Sequence, residues 1–142
     1  MIYQNTYFRF SLVLIILSLL ISSCREDIIS PDNPSGNINE PVRLKSNTSY
    51  TFILSANDIS TTIQDYTGLN STHSVLIITL INYVQGNAAL NIYQYSKQLI
   101  FQKMMTDNVD QLSVRFDNVN PYILKYEFTN FTGELKIQVS TH

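Results

Sequence analysis

"YILKYEFTNFTGELKIQV", residues 122–139, decides the fold of this chain. Tyr122, Leu124, Tyr126 and Phe128 recur at every second position, with Lys125 and Glu127 between them. After a break at Gly133, Leu135, Ile137 and Val139 repeat the pattern against Glu134, Lys136 and Gln138. A period of two puts one set of side chains on each face of a β-strand, so each segment has one dry and one wet face. That is the pattern of an antiparallel sheet packed on one side.

Upstream, Leu112, Val114 and Phe116 alternate with Ser113, Arg115 and Asp117. Further strand candidates are Tyr50 to Leu54, Val75 to Val84, Ala88 to Tyr95 and Gln98 to Met105. Turn residues (Gln85-Gly86-Asn87, Asn120-Pro121, Gly133) separate several of them. Short strands punctuated in this way predict an all-β fold, an antiparallel β-sandwich of jelly-roll-like form with about 7–8 strands over residues 45–142. One cysteine allows no disulfide within the chain and no cysteine-based zinc site, so the core must rest on packing.

Val75 to Val84 is apolar on both faces. Leu76, Ile78, Leu80 and Val84 are assigned to the core, which turns Val75, Ile77, Ile81 and Tyr83 outward. Two explanations are open. The weakly patterned segment Ala56 to Ser74 folds over that face, or Val75, Ile77 and Ile81 form an interface for another envelope protein.

Residues 1–23 read as an export signal. Arg9 precedes an apolar run from Phe10 to Ile21, about a dozen residues, whereas a helix through lipid needs about 20. The run ends on Ile21-Ser22-Ser23-Cys24, and Cys24 is the sole cysteine. This tetrapeptide resembles a bacterial lipobox, which implies cleavage between Ser23 and Cys24 and acylation of the Cys24 thiol. The following Arg25-Glu26-Asp27 resembles the short charged export signal of surface lipoproteins in Bacteroidetes. The implied partner is a membrane, held through the lipid anchor, and the implied address is the cell envelope, at the outer membrane. Residues 24–44, with three prolines and many Asn, Ser and Asp, read as a flexible tether.

The formal net charge is −2 at pH 7, and removal of Arg9 with the signal lowers the basic count from 9 to 8 against 11 acidic residues. Without a basic surface or a run of like charge, nucleic acid is excluded as a partner. No cofactor or metal is expected. Asp107-Asn108-Val109-Asp110 offers too few oxygen ligands for calcium, and no G-x-S-x-G elbow accompanies His73, so the domain is read as non-catalytic, with a small hydrolase as the remaining alternative. The residues that suggest binding are aromatic. Tyr93 and Tyr95 lie two apart on one strand face, Tyr83 is placed to join them across the turn, and Asn91 offers an amide. Such a row suits a glycan, whose ring faces stack on aromatics while its hydroxyls bond amides; cross-strand aromatic packing inside the domain is the other reading of the same tyrosines.

Two stretches, "NAALNIYQYSKQLIFQ" (87–102) and "NPYILKYEFTNFTGELKIQV" (120–139), resemble the strand pairs of bacterial pre-peptidase C-terminal-type β-sandwiches. The resemblance implies a small module carried by exported proteins. That family's calcium-binding acids would fall where this chain has Gly86-Asn87-Ala88-Ala89, so no calcium site follows from it.

Overall fold

The computed structural model describes residues Gly36–His142. The signal segment, the Ser23–Cys24 junction and most of the tether lie outside the described residues. Six antiparallel strands form one hydrogen-bonded sheet: β1 (Val42–Lys45), β2 (Ser49–Tyr66), β3 (His73–Tyr93), β4 (Leu99–Met105), β5 (Val109–Asp117) and β6 (Ile123–Thr141). The order is β1-β2-β6-β3-β4, with β5 also paired to β3.

This sheet becomes a sandwich by folding over on itself. Strands β2, β3 and β6 run 18, 21 and 19 residues, more than twice the common strand length. Each one serves both layers. In the first layer, 49–56 of β2 pairs with 133–140 of β6, which pairs with 75–81 of β3; β1 and β5 flank them. In the second layer, 61–66 of β2, 123–128 of β6 and 88–93 of β3 lie side by side, with β4 at the edge. The antiparallel all-β fold is therefore as predicted. The strand count is not: six strands replace seven or eight, because segments read as separate strands are halves of continuous ones.

The corner follows from residue chemistry. All three long strands lose regular register at the same level, between Ala56 and Thr61, between Ile81 and Asn87, and opposite them between Phe128 and Gly133. Asp58, Asn82, Asn130 and Gly86 take positive φ there, the conformation that Asp, Asn and Gly tolerate best. Short polar side chains bond the backbone groups that the bulges release. Asp58 N–H donates to Thr132 Oγ1 at 2.9 Å, Asn130 N–H to Ser60 Oγ at 2.8 Å, and Tyr83 N–H to Asn108 Oδ1 at 3.0 Å.

The core lies between the layers. Phe52, Leu54, Leu76, Ile78, Leu80, Ile137 and Val139 face Leu90, Ile92, Leu124 and Tyr126, all of them buried. Phe52 of the first layer stacks on Tyr126 of the second with ring centroids 4.1 Å apart, and Phe101 of β4 meets Phe116 of β5 edge-on at 6.2 Å. Away from the corner, Asp65 ties the layers together. It accepts from Lys45 Nζ at 2.6 Å, Arg43 Nε at 2.8 Å and the Tyr50 hydroxyl at 3.0 Å. Because the one Tyr50 proton goes to Asp65, the Tyr126 hydroxyl, 3.3 Å away, donates to Tyr50. Burial tends to raise the Asp65 pKa, but the Lys45 ammonium, the Tyr66 N–H and the Tyr50 hydroxyl together hold it below its usual value. Burial pushes both tyrosine hydroxyls above the usual range.

Three expectations are corrected. The segment Ala56 to Ser74 does not fold over the Val75 face; as far as Tyr66 it continues β2 into the second layer. Val84, predicted to face the core, is 69% exposed: it lies inside the irregular stretch between Ile81 and Gln85, where four residues of β3 span two of β6, and the even-numbered core face resumes only at Ala88. The tether expected over residues 24–44 ends sooner: the sheet begins at Val42, and Asn39 N–H already bonds Ser55 O at 2.8 Å.

Candidate functional site

The outer face of the second layer is a grid set by strand register. Gln64 of β2, Lys125 of β6 and Asn91 of β3 form one row, continued by Gln102 of β4. Tyr66, Ile123 and Tyr93 form the next, continued by Leu99. A polar row of amides and an ammonium thus runs beside a row of aromatic and aliphatic side chains. A cleft of about 370 Å³ opens over this grid, lined by Gln64, Tyr66, Tyr93, Lys97, Ile123 and Lys125.

Its aromatic wall is braced from behind. The Tyr66 ring leans on Tyr122 at 5.7 Å, and Tyr122 meets the edge of Tyr95 at 5.2 Å. Gln64 Nε2 donates to the Tyr66 hydroxyl at 3.0 Å, which orients both groups. Tyr122 is itself pinned by backbone, its N–H donating to Tyr93 O and its carbonyl accepting from Thr67 N–H, each at 3.0 Å. Lys125 Nζ pairs with Glu127, which raises the lysine pKa, so this ammonium stays charged throughout the neutral range. Tyr66 and Tyr93 stand two strands apart, about 10 Å, roughly the length of a disaccharide.

The structure separates the residues singled out in the sequence. Tyr93 lines the cleft; Asn91, paired with Lys125 across the sheet, is 5% exposed and is not part of the lining. Tyr95 sits past the end of β3, 78% exposed, and props Tyr122 instead of extending a row. Tyr83 does not join them. It lies at the corner, where its hydroxyl donates to Gly86 O at 2.9 Å. Sequence reading passed over Tyr66, Gln64 and Lys125. Tyr66 and Gln64 fall in the weakly patterned stretch Ala56 to Ser74, and Lys125 has the sequence pattern of an ordinary wet-face lysine.

On the outer face of the first layer, Val75 and Ile77 are half-buried among Arg115, Ser113, Gln138 and Ser140. Ile81, 43% exposed, joins Ile53, Thr79 and the Lys136 chain around a shallow groove of about 220 Å³. His73 is exposed at the start of β3, its Nδ1 3.2 Å from Thr72 Oγ1 and its ring edge-on to His142. In the Asp107–Asp110 turn, Asp107 Oδ1 caps Asn108 N–H at 2.7 Å. Among the described residues no three His, Cys, Asp or Glu side chains gather as a metal site would require, and no helix is long and apolar enough to cross a membrane.

Fold and site together define a small antiparallel sandwich with an amphipathic cleft on one outer face. No family model matches the chain, and no match is found among curated proteins.

Proposed function

We propose that this chain is a lipid-anchored envelope protein whose sandwich is a non-catalytic binding module for a saccharide, held in the Tyr66–Tyr93 cleft. The observation that carries the saccharide reading is the pairing of rows. Tyr66, Ile123 and Tyr93 offer flat apolar surface for the C–H faces of a sugar, and Gln64 and Lys125 beside them offer donors for its hydroxyls. The anchor reading rests on Ile21-Ser22-Ser23-Cys24 at the end of a short apolar run. The resemblance to pre-peptidase C-terminal-type sandwiches agrees with a displayed, non-catalytic module.

A glycan array probed with residues 24–142 should retain at least one saccharide, and Tyr66→Ala with Tyr93→Ala should release it. An array that retains none would end the saccharide reading. The anchor is tested separately: Cys24→Ser should move the protein from the membrane to the soluble fraction, and a variant that stays with membrane would refute lipidation.

A second reading has its own observation. The groove of Ile53, Thr79 and Ile81 suits an apolar side chain of a neighbouring envelope protein. On that reading Ile81→Lys lowers the apparent mass of the native assembly in size-exclusion, and an unchanged profile counts against it.

A further inference from the structure

The cleft has one residue that a neutral sugar does not explain. Lys97 occupies the tight turn from β3 to β4, closed by Gln94 N–H to Gln98 O and Lys97 N–H to Gln94 O, each at 2.9 Å. Its φ is +65°. In that left-handed region Gly or Asn costs less than any long side chain, so lysine is a poor choice for the turn itself. What the turn gains is position: it carries the Lys97 side chain to the rim of the cleft, on the same lining as Lys125.

The lining as a whole holds two ammonium groups and no carboxylate. Glu127, two residues along β6 from Lys125, is engaged by that lysine. Lys97 forms no ion pair among the described residues. In a chain of net charge −2, an ammonium that lines the cleft beside an aromatic wall, with no ion pair among the described residues, suits a ligand of opposite charge.

We infer that the ligand is an acidic saccharide, its carboxylate taken by Lys97 at the rim and its ring laid over Tyr66 and Tyr93. This inference rests on the saccharide reading above and adds the charge. A carboxylate on a pyranose projects from the ring edge. A ring flat on the aromatic row would therefore present it outward, toward the turn that carries Lys97, while Lys125 stays available to ring hydroxyls.

The test titrates residues 24–142 with oligogalacturonate and its methyl ester, and with sialyllactose and lactose, by calorimetry at low and high salt. The acidic member of at least one pair should bind, its neutral partner about tenfold more weakly, with the difference shrinking at high salt. Lys97→Gly should remove about the same factor from the acidic member alone, and Lys97→Arg should restore most of it. Glycine also suits the positive φ, so this variant melts no lower than the parent, and its lost binding cannot be put down to unfolding. Equal binding of acidic and neutral members, or no effect of Lys97→Gly, overturns the acidic assignment and leaves the saccharide reading standing. If none of the four probes and nothing on the array binds, both fall together.

Discussion

Gly86 is the residue on which the corner turns. At φ +83° a Cβ would sit inside the backbone of Thr129 and Asn130, where β3 crosses β6 at the fold. Gly86→Ala thus meets two penalties, the left-handed conformation and a collision with main chain that cannot swing aside. We expect a loss of about 3 kcal/mol, read as a lower midpoint in urea. A shift under about 0.5 kcal/mol, the ordinary range for surface substitutions, would mean the corner gives way easily. The sequence marked Gly86 as a turn residue, and a turn in the usual sense it is not. It bends a strand that goes on pairing. Tyr93 was legible from its spacing to Asn91 and Tyr95, whereas Tyr66 was not, since its role depends on Ile123 bringing β2 and β3 to either side of β6.

At the level of elements, β2 shows why periodicity stopped short. Tyr50, Phe52, Leu54 and Ala56 are buried at even positions, but beyond the corner the inward set is odd, Ile63 and Asp65. A bulge of one residue reverses parity, and a single period-two template then loses the strand. The polar run Asn57 to Thr62 deepened the misreading, since it resembles a loop and yet pairs along β6. The short β1 earns its place electrostatically, because three of its four residues are exposed while Arg43 and Lys45 hold Asp65. A chain beginning at Gly36 should therefore fold as the full protein does, whereas one beginning at Ser46 should lose about 2 kcal/mol by leaving Asp65 without its cations. Equal melting of the two would show that β1 is dispensable.

For the molecule as a whole, the Asp65 cluster joins both layers at the end away from the corner and makes their union depend on pH. The folded-state pKa of Asp65 lies below its unfolded value, so its contribution is fully present above the unfolded pKa of about 3.9 and is lost as pH falls through the folded one. Urea midpoints should decline below about pH 4 more steeply for the parent than for Asp65→Asn, and parallel declines would assign the acid loss to other carboxylates. Near neutral pH, Asp65→Asn should cost about 1–2 kcal/mol, at the modest end for a buried pair because Arg43 and Lys45 are partly exposed and can return to water. By itself the sequence determined that this protein is an antiparallel β structure, and which faces of the β5 and β6 segments are dry, because alternation is a local property that one strand displays alone. Only the tertiary structure decided that three strands run through both layers, that Asp65 joins them, and that Tyr66, Tyr93, Lys97 and Lys125 share a cleft. Those facts depend on register between residues as far apart as Ser49 and Ser140, and register is set by bulges and by packing across the core, which no single stretch of chain encodes.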